Sequence, residues 1–436
     1  MVEDRILISA LDGYVDRDVT LAGWVAAVRN QKRMQFVILR DHTGLVQLTN
    51  EKKDDDLERR ITSLVPESVI IAEGRVVHDD HIRLGQKEVR LYDLRIETVP
   101  EGALPLDANS PLDTRLDWRF LDLRSPKNTL LCKVQTTVEH AMRSYWLEHG
   151  FVEIHSPKLT AGATESGAEL FQLDYFGQKA SLAQSPQFYK QMAMAAGLDR
   201  VFEIGPVFRA NPSHTTRHDT EFTSVDVEMS WIGSPEEVMR FEEHWLWYVL
   251  GVVAERHGTE FQEKFGVTVR VPELPFPRVQ MQEAYAILKD AGYTLPREQK
   301  GDLDPEGERL LHRHVAAKTG HEFVFVTDYP VSVRPFYHMR YADRPDVTKS
   351  FDLLWKGLEV TTGAQREHRY GVLVQQAVEK GVDPGAIKHY LDFFKYGCPP
   401  HGGYGFGLTR MLMTLVNAPN VREVTYVYRG PTRLTP

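Results

Sequence analysis

The chain reads as an α+β protein in two domains, and three observations predict this. Residues 1–105 break into short alternating strands with a single helix among them. A stretch rich in Pro and Asp then interrupts the periodicity, and residues 106–127 read as a hinge. From residue 128 to 436, strands and helices mix without the regular alternation that a doubly wound sheet requires.

The first domain carries five strand-like runs: VTLAGWVAAV (19–28), MQFVILRD (34–41), LVQLTN (45–50), SVIIAEGRVV (68–77) and EVRLYDLRIETV (88–99). The helix-like DDLERRITSLV lies between the third and fourth. Five strands with a helix after the third is the order of an OB-fold, a small barrel whose face often binds single-stranded nucleic acid. A barrel used only for packing is the alternative. In the second domain, Leu130, Val134, Val138, Met142 and Trp146 recur at four-residue steps and predict an amphipathic helix. A second helix is expected over 234–255, where Ser234-Pro-Glu-Glu suggests a capping box. Residues 271–335 are the least regular and read as an inserted or helical side module.

Composition narrows the function classes. At 436 residues and 42% hydrophobic, the chain is long enough for two cores. A net charge of −9 argues against a generally basic nucleic-acid binder, so RNA contact must come from local basic surface. The two cysteines, Cys132 and Cys398, provide neither a disulfide framework nor a Cys-rich zinc site, which fits a reducing, cytoplasmic setting. No leader-like segment or uninterrupted apolar run of about 18 residues appears, so no membrane partner is expected.

Two segments carry chemistry. In VFEIGPVFRANPSHTTRHDTEF (201–222), a strand-like run delivers Arg209, and Arg217, His218 and Phe222 return after a polar loop. Guanidiniums offer planar charged forks to phosphate oxygens, and an aromatic can stack on a base, so the layout suits a nucleoside triphosphate. A solvated surface hairpin is the plain alternative. In PPHGGYGFGLTRML (399–412), glycines at 402, 403, 405 and 407 precede an apolar run bearing Arg410. Glycine permits close backbone approach to a ligand, or marks a tight turn. Neither a Walker loop nor a strand-GxGxxG-helix unit is present.

Together these segments resemble motifs 2 and 3 of class II aminoacyl-tRNA synthetases, and GFVEIHSPKLT with Pro157 resembles motif 1. ATESGAELFQLDYFGQKASLAQSPQFYKQM (163–192) is more specific and resembles aspartyl-tRNA synthetases of the archaeal and eukaryotic type. The likeness extends from GWV (23–25) through FDLLWKGLEV and GAQREHR to the terminal RLTP. It implies a catalytic domain on an antiparallel sheet flanked by helices, and an N-terminal anticodon-binding barrel. It also implies a homodimer through motif 1, L-aspartate and ATP as substrates, Mg2+ as cofactor and tRNA(Asp) as acceptor, with tRNA(Asn) as a second acceptor in relaxed members.

By resemblance, Lys190 and Arg366 hold the side-chain carboxylate of aspartate, and Glu165 and Gln187 its α-ammonium. Two fixed cations would compensate a dehydrated carboxylate, and a neutral amide would leave them unpaired. Arg209 is assigned to the α-phosphate and also to aspartate, and is the residue expected to act in catalysis. Arg217 and His218 are assigned to the β- and γ-phosphates, Phe222 to adenine, and Gly407 and Arg410 to the opposite wall. Glu359, Thr362 and Asp352 are the metal ligands implied, with Thr362 also near the amino acid, consistent with the preference of Mg2+ for hard oxygens. Phe36, Gln47 and Arg29 are implied in anticodon binding, with a core role as the alternative for Phe36.

Asn211 replaces a usual Glu, Thr409 a usual acid, VYRG (427–430) a usual FPRD-like lead-in, and Ala26 follows GWV where larger residues are common. Three other readings stand beside an aspartate–tRNA ligase. They are an asparagine–tRNA ligase, an aspartyl-adenylate-forming paralogue with a non-tRNA acceptor, and a non-enzymatic RNA-binding relic.

Overall fold

The computed structural model describes residues 4–107, 109–161, 170–212, 215–296 and 301–435. The chain forms two compact units, Met1–Thr129 and Leu130–Pro436.

In the first unit, β1 (Asp18–Asn30), β2 (Gln35–Asp41), β3 (Gly44–Asn50), β4 (Val69–His78) and β5 (Lys87–Thr98) close a barrel in the order β1-β2-β3-β5-β4. Helix α1 (Asp55–Thr62) follows β3, as the OB-fold order requires. Asp54 caps it by accepting from the amides of Asp56 and Leu57. Alternation places Val19, Leu21, Val25, Val37, Leu39, Val46 and Leu48 inside the barrel, where they form one buried cluster. The register of β1 on β2 shifts between Val25 and Ala27, so Ala26 sits at a bulge. Part of the expected hinge is helical: α2 (Leu112–Asp117) and α3 (Arg119–Asp122).

The second unit is built on an eight-stranded sheet ordered β12-β13-β14-β15-β16-β11-β10-β6. Its strands are β6 (Val152–Glu153), β10 (Arg200–Phe208), β11 (Glu221–Ser230), β12 (Arg278–Gln280), β13 (Phe323–Thr327), β14 (Ser350–Trp355), β15 (Leu358–Gln365) and β16 (His401–Gly407). The six central strands run antiparallel, as expected, but β12 on β13 and β6 on β10 are parallel, so the sheet is mixed. A small sheet of β7 (Leu159–Thr160), β8 (Gln172–Tyr175) and β9 (Gln178–Leu182) lies apart from it in the pairing.

The helix expected from the four-residue spacing is α4 (Pro126–Glu148), and its Val134, Val138, Met142 and Trp146 are fully buried. Next come α5 (Gln187–Ala195) and α6 (Pro235–Phe265). Helix α6 packs on β15 and β16 and exceeds the expected span by ten residues, ending where Gly266 turns left-handed at φ 68°. Its capping differs from the box read in the sequence. Ser234 makes no side-chain cap, whereas Glu237 reaches back to the Gly233 amide at 2.7 Å. The irregular stretch 271–335 supplies β12 and β13 to the sheet, with α7 (Met281–Asp290) and α8 (Pro305–Thr319) packed on them through Met281, Leu288, Leu311 and Val315. Helices α9 (Tyr370–Glu379), α10 (Lys388–Lys395), α11 (Leu408–Leu415) and α12 (Val421–Val424) complete the unit.

Glu242 of α6 is fully buried, and Thr361 of β15 donates to its Oε1 at 2.5 Å while Oε2 has no partner. Burial pushes its carboxyl up to about 8. A folded value above the ordinary 4.5 means that its stabilising contribution is complete at acid pH and is lost as pH climbs through about 8. Glu242→Gln is therefore expected to leave stability at pH 5 nearly unchanged and to raise it at pH 9 by on the order of 3–5 kcal/mol, read by urea unfolding.

Candidate active site

Strands β11, β15 and β16 floor a pocket of about 380 Å³ in the second unit, closed by α5, the β10–β11 loop and the start of α11. It gathers Gln187, Lys190, Arg209, Arg217, His218, Phe222, Glu359, Thr362, Arg366, Gly407 and Arg410, residues drawn from motifs far apart in the chain. Glu165 lies outside the described residues.

At one end, both candidate amino-acid cations are buried and already paired. Lys190 Nζ donates to Asp226 Oδ1 at 2.9 Å and to the Tyr404 carbonyl at 2.9 Å. Arg366 donates from Nε to Glu228 Oε1 at 3.0 Å, from Nη2 to the Gly403 carbonyl at 3.0 Å, and from Nη1 to His338 Nε2 at 2.9 Å. Lys190 also stands 3.5 Å from Glu228, which links the two cations. Burial would raise the Glu228 carboxyl, but Arg366 and Lys190 outweigh it and hold the group below its ordinary range. His338 is held well below its ordinary value by burial and by Arg366, so its neutral ring can accept the arginine hydrogen bond.

Asp226, Glu228 and His338 were missed by motif reading. The signal for Asp226 and Glu228 was the alternation VDVEMS, in which acids i and i+2 occupy one face of β11 while Val225 and Val227 bury the other; His338 had none. Gln187 is fixed from behind in the same way. Its amide donates to Gln191 Oε1 at 2.9 Å, and Gln191 donates to His401 at 2.9 Å, an imidazole that burial pushes down to about 4.

The other end is a wall of arginines. Arg209, at the end of β10, lies with its guanidinium carbon 5.4 Å from the Phe222 ring centre. Arg410 of α11 donates to the Glu359 carbonyl at 2.8 Å and approaches its Oε1 at 3.3 Å. Thr362 donates to the same Oε1 at 3.2 Å. Burial would raise Glu359, but Arg410, Arg217 and Arg334 hold it down. Burial, reinforced by Arg410 and Arg217, pushes His218 down to about 4, which makes it a neutral ring at pH 7. Asn211 and Thr409 also line the pocket, and buried Asp219 lies beside Thr409. The altered C-terminal lead-in touches this wall as well, since the Thr220 amide donates to the Arg429 carbonyl at 3.1 Å.

Of the three metal candidates, Asp352 is not brought to the pocket wall. It pairs with Thr362 in strand register, but its carboxylate turns to Arg334 at 2.5 Å. Among the described residues no group of three acids, histidines or cysteines forms a cage. Glu359 and Thr362 instead present two neighbouring hard oxygens beside the arginines, a donor set that suits Mg2+ shared with a phosphate and keeping most of its waters.

On the barrel, Arg29 pairs with Phe36 and Phe36 with Thr49, while Gln47 pairs with Ile38, so Arg29, Phe36 and Gln47 fall on one face. Phe36 is half-buried and stands outside the barrel's core cluster, and Arg29, Lys32 and Arg33 are exposed. Gln47 donates to Glu88 at 3.2 Å, and Arg40 is committed to Glu67 at 2.7 Å.

The chain matches tRNA synthetases class II (D, K and N) over residues 111–428 and the OB-fold nucleic acid binding domain over residues 19–98. The chain belongs to the class II aminoacyl-tRNA synthetases. This synthetase is 43% identical to the aspartate–tRNA(Asp) ligase of Pyrococcus abyssi over 426 residues, covering 96% of each chain. It is 45% identical to the aspartate–tRNA(Asp/Asn) ligase of Methanopyrus kandleri over 429 residues, again 96% of each. The asparaginyl-tRNA synthetase of Pyrococcus horikoshii, solved with asparaginyl-adenylate, superposes with a TM-score of 0.93 at 31% identity over the whole of both chains. The synthetase is thus an aminoacyl-tRNA ligase that uses ATP and tRNA, and no helix among its described residues is long and apolar enough to cross a membrane.

Proposed function

We propose that this synthetase is an aspartate–tRNA ligase, which activates L-aspartate to aspartyl-adenylate and transfers it to the 3' end of tRNA(Asp). The observation that carries the reading is the seating of Lys190 and Arg366 on Asp226 and Glu228 at one end of a pocket whose other end is lined by Arg209, Arg217 and Arg410. A substrate carboxylate would meet donors already fixed by buried carboxylates, which is the preorganisation that favours a charged ligand over its amide.

The chemistry needs positioning more than covalent catalysis. The aspartate α-carboxylate attacks the α-phosphorus, the bond to pyrophosphate breaks, and negative charge grows on the non-bridging oxygens. Arg209 is the residue we assign to that charge, with Phe222 against adenine and Arg217, His218, Gly407 and Arg410 along the triphosphate. Glu359 and Thr362 would hold Mg2+, which when bound would supply Lewis-acid neutralisation of phosphate oxygens. Gln187, and Glu165 from outside the described residues, are assigned to the α-ammonium. A tRNA hydroxyl then attacks the mixed anhydride, and AMP leaves. Arg29, Phe36 and Gln47 on the open barrel face are assigned to the anticodon through stacking and phosphate contact, the usual recognition of single-stranded loops.

A homodimer is part of the proposal. The motif 1 strand β6 lies at the edge of the sheet, and Leu147 and Val152 around it are 60% and 46% exposed. Sedimentation should give twice the 49.9 kDa chain mass at micromolar concentration. A cytoplasmic setting is proposed with it.

The deciding experiment is ATP–pyrophosphate exchange with aspartate and with asparagine, followed by charging of tRNA(Asp) and tRNA(Asn) side by side. Exchange driven by aspartate alone is expected. Exchange driven by asparagine alone would overturn the assignment, and charging of both tRNAs would place the enzyme among the relaxed members.

A further inference from the structure

Arg217 reaches the pocket from the loop between β10 and β11, and a free arginine there would sample many rotamers. It is tied instead to a residue that the pocket lining does not include. Arg217 Nη1 donates to Glu308 Oε2 at 2.7 Å, and Glu308, in the first turn of α8, is only 3% exposed. The same oxygen lies 3.4 Å from the Glu359 amide. Arg410 closes the frame, placing Nε 3.4 Å from the Arg217 carbonyl while Nη1 holds the Glu359 carbonyl. Three residues from α8, β15 and α11 thereby frame Arg217 at the phosphate end, with Glu308 on its guanidinium and Arg410 on its carbonyl.

We propose that Glu308 is a positioning residue for the β- and γ-phosphates of ATP: it clamps Arg217 by Nη1 and leaves Nε and Nη2 for phosphate oxygens. The inference rests on the nucleotide reading of the pocket. It gives the irregular 271–335 stretch a role in the site, because α8 carries the clamp. Binding to a pre-ordered fork avoids the cost of ordering a long side chain during association. Glu308 does not meet the substrate itself. A rival outcome is that the carboxylate drains Arg217 of attraction for phosphate, in which case its removal would tighten ATP binding.

The test uses the full-length enzyme. Glu308→Ala removes the clamp and is expected to raise the KM for ATP in aspartate-dependent exchange by about tenfold, with the KM for aspartate within twofold of wild type. Glu308→Gln keeps an oxygen acceptor at the same reach and should restore most of the ATP affinity. Glu308→Asp keeps the charge but withdraws it by one methylene, and should resemble alanine; it serves if the alanine variant does not fold. Calorimetric ATP binding without amino acid gives a readout independent of which amino acid is activated. The inference is overturned if the alanine and aspartate variants bind ATP as well as wild type or better, or if both substrates' KM values rise together. Absence of aspartate-dependent exchange in the wild type would instead sink the substrate reading, leaving the ATP titration to judge Glu308.

Discussion

Arg366→Leu is expected to lose aspartate activation by at least about a thousandfold in kcat/KM and to unfold more readily, while retaining ATP binding. Two effects are joined in one residue. Arg366 presents donors to the amino-acid end of the pocket, and it also neutralises Glu228, whose side chain is 0% exposed. Removing one partner of a buried ion pair typically costs about 3–5 kcal/mol, because the remaining charge stays desolvated. The two effects can be separated. Arg366→Leu combined with Glu228→Gln should recover much of the lost stability, read by thermal unfolding, yet leave aspartate-dependent exchange absent. If the single variant keeps its aspartate KM, the guanidinium is a structural counterion and the basis for choosing aspartate fails. Lys190→Met should behave alike, with Asp226 as the stranded acid.

The second large effect is expected at Gly403. This residue pairs with Glu228 on β11 and Ala364 on β15, and its carbonyl receives Arg366 Nη2. A Cβ added there would collide with the Val227 carbonyl oxygen and stand 2.5 Å from Glu228 Oε2 and 2.8 Å from its Cα. Backbone and a buried carboxylate have little room to yield. Gly403→Ala should therefore cost at least about 3 kcal/mol, the upper range for overpacked interiors, and should displace Glu228 so that aspartate activation disappears with it. Gly407→Ala is the control. Its Cβ would meet only the Arg410 side chain, at 3.4–3.5 Å, so stability should change little. Equal melting temperatures for the two variants would contradict this account.

The two glycines also show what the sequence could and could not convey. The glycine-rich run was legible as a site element, but the expected reason, close approach to a ligand, does not hold at Gly403, where the close neighbours are strand β11 and its carboxylate. The barrel's five strands and its helix were legible, because period-two alternation with one buried face leaves little freedom in register, but the bulge at Ala26 was not. Residues 271–335 were not, since their apolar side chains are shared among a three-residue strand, β13 and two helices, of which the longer, α8, buries only Leu311 and Val315 as apolar positions. Lys190 and Arg366 were found by motif, whereas Asp226, Glu228, His338 and Glu308 escaped because a buried acid or imidazole acquires meaning only from the cation that folding brings to it. Asp352 shows the converse. The resemblance implied it as a ligand beside Glu359, whereas its Oδ2 accepts from Arg334 at 2.5 Å and it lies off the pocket lining.

The pocket's two ends draw on different parts of the chain. The amino-acid end is fixed by side chains from β11, α5 and the residue that follows β15, whereas the phosphate end is fixed by a loop, α8, the start of β15 and α11, with the glycine-rich β16 as common ground. Such modularity confines a change of diet to a few positions. Replacing the partners of Lys190 and Arg366 would retune which amino acid is accepted without disturbing the apparatus that splits ATP.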